Sequence, residues 1–359
     1  MSNPATHPQL SVIIPTLNEQ ETLPELLENL GKQRGISFEV IVVDGGSRDG
    51  TRALATSAVK AYPLTLVDSP AGRGMQLNAG ARQARGEWLL FLHADSRFSD
   101  PVALARGVRC LAAENEGQVG KVIAGRYALR FTVTGGEHPG AYAFYESKAR
   151  RNRPGCVHGD QAFLVQRNVF SRIGPFATDL PFLEDERLAL EVFQQGRWLL
   201  LPAEIETSAR RFVAEGLFRR QLLNALILNA LAIGWFDFLR AAPGLYRIQA
   251  QAGRIDLGAI APVARGVLRD RGWRERWRIC YDSAGFILDN AWQLLLALDV
   301  RRGVRRNRDY RGESTPCLDR WEKPLNRILR RLPGRSVLAA GLGFAGFWLL
   351  LFGRRPARG

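Results

Sequence analysis

Four short apolar runs constrain this chain more than any other feature: LSVII (10–14), VIVVD (40–44), LTLV (64–67) and WLLFL (88–92). They lack the sustained polar alternation of a half-exposed strand and read as strands covered on both faces. Segments of helical spacing separate them. Residues 19–33 place Leu23, Leu26, Leu27 and Leu30 on one face, a second helix starts near Asp49, and a third covers 75–84. Strands alternating with helices build right-handed β-α-β units, so the front of the chain is α/β with a mostly parallel sheet. Ligands in such sheets bind beyond the carboxyl ends of the strands. That rule singles out Thr16, Asn18 and Glu19 after the first strand, Asp44 after the second, and His93 and Asp95 after the fourth. A buried strand runs straight into His93-Ala94-Asp95 because a central strand ends where the site lies. The Asp95 carboxylate can hold a hard divalent cation, which in turn can hold a diphosphate. Capping of the following turn is the competing reading of the same residue.

The ordered set IIPTLNE, VIVVDGGSRDGT, GRGMQLNAG and LLFLHADS resembles the family-2 glycosyltransferases of the A-type nucleotide-diphospho-sugar transferase fold, over roughly residues 9–215. The resemblance implies a Rossmann-like sheet that binds a nucleotide-diphospho-sugar. It implies that Asp44 contacts the nucleobase and that Pro15, Thr16 and Glu19 line the nucleotide pocket. It also implies that the D-x-D position binds Mn2+ or Mg2+ with the diphosphate. Here His93 stands in place of the first Asp, as a donor contact or a second ligand, and Asp95 matches the second. Arg73 and Asn78 sit at a helix start, where an arginine beside exposed amides suits a diphosphate. HGDQAFLVQRNVF (158–170) resembles a G-D-Q segment of the family, which puts Asp160 and Gln161 on the sugar or acceptor side. His158 reads as a structural turn residue. In FLEDERLALEVFQQGRW (182–198) the pair Glu184-Asp185 matches the family's E-D pair, with Asp185 as catalytic base and Glu184 next to it. Inverting transfer requires such a carboxylate to take the acceptor proton. Read without the family, the same acids complement a helix dipole.

The formal charge is +15, and its placement is lopsided. Residues 1–216 hold 24 Lys+Arg and 24 Asp+Glu, whereas 217–359 hold 26 and 11. All of those 26 except Lys323 are arginine. A basic rear faces something anionic, either nucleic acid or a phospholipid surface. Its arginines lie among long apolar segments rather than along a polar groove, which favours the membrane and no nucleic acid. The rear reads as all-α, with an apolar helix over 218–239 interrupted by Asn224, Asn229 and Asp237, a similar region over 276–300, and a basic block at 301–312. Residues 336–353 are 18 uncharged residues between arginines. A transmembrane span, an interfacial hairpin and a buried helix all fit that stretch. Four scattered cysteines argue against a disulfide framework, and MSNPATHPQL lacks a signal-peptide pattern.

The expected organisation is a catalytic domain over 1–216, a basic membrane-surface region over 217–335, and a candidate transmembrane or interfacial helix at 336–353. The expected activity is a metal-dependent hexosyltransferase, membrane-associated with its catalytic domain in the cytoplasm, passing sugar to a lipid or lipid-linked acceptor. Two rivals stand beside it. A nucleotidyltransferase of related fold needs a Gly-rich phosphate loop where this chain has PTLNE, and a non-catalytic membrane or nucleic-acid binder needs only the charge.

Overall fold

The computed structural model describes residues 7–57, 61–117, 120–133, 140–180, 182–242, 255, 258, 260–306, 314–331 and 333–341. They group into two compact units, one formed by 1–138 with 148–208 and the other by 139–147 with 209–359.

The first unit is built on an eight-stranded sheet. Strands β1 (Leu10–Thr16), β2 (Phe38–Asp44), β3 (Leu64–Asp68) and β4 (Trp88–Phe91) alternate with helices α1 (Leu23–Gly31), α2 (Thr51–Ser57) and α3 (Arg73–Gln83). Then follow β5 (Ser96–Arg97), α4 (Ala103–Asn115), β6 (Val122–Thr132), β7 (Phe163–Gln166), α6 (Arg167–Ile173), α7 (Glu184–Gln195) and β8 (Gly196–Ser208), while α5 (Gly140–Ala149), between β6 and β7 in the chain, falls mostly in the second unit. The spatial order is β3-β2-β1-β4-β7-β6-β8-β5. The expected parallel pairing holds from β3 to β4, breaks at β7, and returns between β6 and β8. Strand β7 runs antiparallel to both β4 and β6, and β5 antiparallel to β8, so the sheet is mixed.

Side-chain alternation explains why β4 and the middles of β1 and β2 are apolar on both faces. Ile13, Ile41, Val43, Leu89 and Phe91 pack with Leu77 of α3, Val169 of α6 and Leu188 of α7 in one core cluster. The intervening Val12, Val40, Val42 and Leu90 are equally buried, so both faces of these strands are covered. β3 is an edge strand and only partly buried. Helix α1 starts at Leu23, later than its periodicity suggests, because the preceding residues are committed elsewhere. The amides of Glu19 and Gln20 donate to Thr51 Oγ1 and Asp49 Oδ2, at 2.8 and 3.2 Å.

The second unit carries α8 (Arg210–Glu215), α9 (Leu217–Ala232), α10 (Phe236–Ala241), α11 (Ile260–Leu268), α12 (Trp273–Asp289), α13 (Trp292–Arg305) and α14 (Pro316–Arg331). The expected single helix over 218–239 is two. Gly234 adopts a left-handed φ of 71°. Trp235 N then reaches Ala230 O at 2.8 Å and Gly234 N reaches Leu231 O at 3.1 Å, which is a Schellman stop. Asn229, which interrupts the apolar face, donates to Ser283 Oγ of α12 at 2.9 Å. Asp299 of α13 accepts the amides of Cys317 and Leu318, both at 2.9 Å, and so satisfies orphan donors at the start of α14. Among the described residues no helix is long and apolar enough to cross a membrane. The candidate helix 336–353 lies outside the described residues beyond Gly341. The four cysteines are free thiols.

One side chain fixes how the site edge opens. Gln76 of α3 is buried, and its Nε2 donates to Thr16 O and Val43 O, both at 2.8 Å. It therefore grips β1 and β2 where they part. Gln76→Ala removes one donor from each carbonyl, leaving Gly45 N on Thr16 O and Thr16 Oγ1 on Val43 O, and is expected to cost about 1 kcal/mol. Urea unfolding checks this, with the exposed neighbour change Met75→Ala expected to shift the midpoint far less.

Candidate functional site at the carboxyl edge of the sheet

The β1 and β2 ends form one wall of the site. The Asp44 side chain is fully buried under the loop that follows it. Its Oδ2 accepts the amides of Gly46 and Ser47 at 3.0 and 2.9 Å, and its Oδ1 accepts from Ser47 Oγ and Thr16 Oγ1. Burial works against the charge, but these donors and Arg52 override it and hold the carboxyl below its ordinary range. Asp44 thus shapes the loop from beneath. Pro15 is half-buried in β1, in register with Val43. Glu19 accepts from Thr22 Oγ1 at 2.6 Å. The loops after β1 and β2 are stapled together: Asn18 N donates to Ser47 Oγ at 2.9 Å, Arg48 N to Asn18 Oδ1 at 2.8 Å, and Gly50 N to Gln20 Oε1 at 2.9 Å. Asn18 takes a left-handed φ of 56° to do so, a conformation asparagine tolerates.

Helix α3 opens the second wall. Gly74 packs so closely on the segment after α6 that a Cβ there would meet Ala177 O at 2.5 Å. Beside it Arg73 Nη1 lies 3.0 Å from Oε1 of Glu184, which is buried at the start of α7. Burial raises the Glu184 pKa and Arg73 opposes that. Asn78 sits below the surface as a post: it donates to Phe176 O and accepts from Phe176 N, both at 2.9 Å.

The far wall is where sequence-distant residues converge. Asp185 Oδ2 accepts the amide of Gly159 at 2.8 Å and Oδ1 accepts the amide of Glu186 at 2.9 Å. A methyl group built on Gly159 would lie 3.0 Å from Asp185 Oδ2 and 3.2 Å from His93 Nε2. His93, at the end of β4, and Asp185, at the start of α7, therefore flank the same point. Burial disfavours the Asp185 charge, but Arg73, the Gly159 amide, His158 and His93 outweigh it, and the carboxyl stays below its ordinary range. Entry to α7 is strained: Leu183 adopts a left-handed φ of 71° immediately before Glu184. A non-glycine residue in that region persists only where its surroundings over-determine it.

Asp160 is partly buried here, and its Oδ1, shielded from solvent, has no hydrogen-bond partner among the described residues. Burial, opposed by His158 and reinforced by Asp185, Asp95 and Glu186, pushes its pKa up to about 6. The same interaction places Asp95 within electrostatic reach of Asp160. Gln161 is fully buried and works from inside the turn, donating to Ala149 O at 2.7 Å and Cys156 O at 3.3 Å. Among the described residues no group of three or more His, Cys, Asp or Glu is arranged to enclose a cation. The donor set still fits a Mg2+- or Mn2+-type ion of the kind bound by one or two carboxylates, with substrate phosphates and water completing the shell.

From the sequence alone His158 is a turn residue and Glu186 one of the first-turn acids that complement the helix dipole. In the structure His158 Nδ1 donates to Glu186 Oε1. Burial disfavours a charged ring, but Glu186 prevails and raises the His158 pKa to about 9. These residues directly precede Gly159 and follow Asp185, so their ion pair spans the two segments whose amides hold the Asp185 carboxylate. The signal in the sequence was the third acid of E-D-E, one residue beyond the family's pair.

Residues 11–174 match the family model described as Glycosyl transferase family 2. A PGL/p-HBAD biosynthesis glycosyltransferase of Mycobacterium bovis (strain BCG / Pasteur 1173P2) is 33% identical over 172 residues, which cover 47% of this chain and 63% of that protein. The match thus spans less than two thirds of that relative's length. An uncharacterized protein of Mycobacterium tuberculosis (strain CDC 1551 / Oshkosh) is 25% identical over 292 residues, 74% of this chain and 90% of that one. Among solved structures, a mannosyltransferase from Pyrobaculum calidifontis in complex with GDP-Man and Mn2+ is similar at 19% identity, with a TM-score of 0.47 over 98% of this chain and 90% of that one.

The clamp has a pH signature. The folded His158 pKa of about 9 lies above its ordinary 6.5, so its stabilisation is fully present below about 6.5 and is lost as pH rises through about 9. The wild-type melting temperature should fall more over that window than that of Glu186→Gln, which lacks the anionic partner. Parallel melting curves across pH would show no clamp.

Proposed function

The chain belongs to glycosyl transferase family 2 through residues 11–174, and from that premise we propose that it transfers a sugar, with inversion, from a nucleotide-diphospho-sugar to a hydroxyl acceptor. The observation that carries this reading is Asp185. Its carboxylate is held charged between two backbone amides, beside His93, at the carboxyl edge of the central strands. A carboxylate kept ionised and oriented is what a general base needs before the acceptor hydroxyl arrives. Attack on the anomeric carbon forms the new glycosidic bond as the bond to the diphosphate breaks, and Asp185 receives the hydroxyl proton.

The stapled loops after β1 and β2 offer the nucleotide a rigid wall. They lack the glycine-rich phosphate loop that a nucleotidyltransferase would place directly after β1. Arg73, at the amino end of α3, neutralises charge growing on the leaving diphosphate. Asp95, with His93 as a second ligand, would hold Mn2+ or Mg2+, whose Lewis acidity further stabilises that leaving group. Asp160, with its unpartnered oxygen, is placed to meet hydroxyls of the sugar or the acceptor. The acceptor reading, a lipid or lipid-linked hydroxyl at the cytosolic membrane face, is supported by the excess of arginine beyond residue 216.

The test is release of nucleoside diphosphate from a panel of UDP-, GDP- and dTDP-sugars with Mn2+ or Mg2+. Asp185→Asn should bind donor nearly normally, by calorimetry, while turnover drops on the order of 10²–10⁴-fold. Collapse of donor affinity in that variant would move the base elsewhere. Asp95→Asn should lose turnover and weaken nucleoside-diphosphate binding only when the divalent cation is present. If it matches the wild type, the cation reading is wrong.

A further inference from the structure

Large apolar side chains are exposed in one unit and almost absent from the surface of the other. Among the described residues Met75 is the one exposed large hydrophobic before Ser208, and every other one lies beyond it. Their spacing is regular. Trp273 and Trp277 of α12 are one turn apart, as are Leu294 and Leu298 of α13, while Trp321 and Ile328 of α14 are two turns apart. Residues at these spacings share a helix face, so each helix carries an apolar stripe. Trp273 is 74% exposed, Leu294 69% and Ile328 56%, so these stripes do not serve the unit's own core.

Arginines accompany each stripe. Arg274 and Arg278 follow the two tryptophans of α12, Arg301 and Arg305 extend the face of α13, and Arg320 and Arg327 directly precede Trp321 and Ile328. All six are exposed. The guanidinium of Arg274 lies 5.5 Å from the Trp273 ring, and that of Arg320 lies 5.5 Å from the Trp321 ring. Tryptophan beside arginine, with aliphatic residues on the same face, matches the layered chemistry of a bilayer surface. The rings sit at headgroup level, the guanidinium groups reach lipid phosphate, and the aliphatic groups enter the acyl boundary.

We infer that α12, α13 and α14 dock the protein on an anionic lipid surface through these tryptophan–arginine stripes, these three helices lying on the bilayer rather than crossing it. Charge complementarity selects this occupant. A second copy of the chain, itself of net charge +15, would set its arginines against these, and like charge opposes that contact. A single-stranded nucleic acid would stack on the tryptophans, but Leu294, Leu298 and Ile328 would gain nothing from it. The inference stands apart from the glycosyl-transfer reading, since no residue in it belongs to the proposed site.

The full chain and its Trp273→Ala/Trp277→Ala/Trp321→Ala variant are sedimented with phosphatidylcholine vesicles, with and without phosphatidylglycerol. The wild type should bind the anionic vesicles, with a blue shift of tryptophan emission, and bind pure phosphatidylcholine weakly. The variant should partition less by on the order of a hundredfold, having lost three aromatic faces. Its melting temperature and any sugar-nucleotide hydrolysis should match the wild type, which separates docking from catalysis. Binding of the variant equal to wild type would overturn the inference. So would absence of wild-type binding to anionic vesicles, concentration-dependent dimerisation through these helices, or preferential capture of an oligouridylate probe.

Discussion

Negative charge crowded at one edge of the sheet is the constraint on which the site depends. Asp160 feels Asp95, Asp185 and Glu186 there, and crowded like charges cannot all remain ionised unless something answers them. The structure answers each differently. Asp185 is given two amides, Arg73 and two histidines and stays charged. Glu186 is given a protonated imidazole. Asp160 is left with an unpartnered oxygen and holds its proton more tightly. Asp160 and Asp185 thereby acquire different proton affinities from their surroundings alone, and acid–base roles are usually divided this way.

Much of this edge was legible in the sequence. Apolar runs ending in Asp44 and in His93-Ala94-Asp95 report a buried strand that meets ligands, because strand burial and the position of the carboxyl edge are both local properties. The E-D pair before an amphipathic helix is equally local. The missed elements depend on contacts between distant segments. Gln76 looks like an ordinary helix residue until β1 and β2 are seen to part above it. Glu186 looks like a dipole-complementing acid until His158, 28 residues earlier, closes on it. The turn from a parallel to a mixed sheet depends on where β7 inserts, between β4 and β6, and no run of residues states that.

The second unit shows the same division. Its charge and its apolar content are plain in the sequence, yet the apolar run 218–239 does not form one rod. A single glycine with positive φ ends α9, and Asn229 finds a partner on α12. Hydropathy summed over a window sees neither event. Exposure divides the apolar residues further: Leu223, Ile227 and Leu296 are in the interior, while Trp273 and Leu294 face solvent.

The grip of Gln76 on two carbonyls also bears on motion. Thr16 and Val43 belong to strands that pair along their whole length, and α3 cannot swing away without breaking its bonds to both. The first three strands, the stapled loops and the helix carrying Arg73 should therefore open and close as one cooperative block, exchanging amide protons only in large, infrequent fluctuations. The turn at 158–161 is fastened to α7 mainly through side chains. Breathing of the site should thus be one-sided, with a still wall at the ends of β1 and β2 and a looser one at the 158–161 turn.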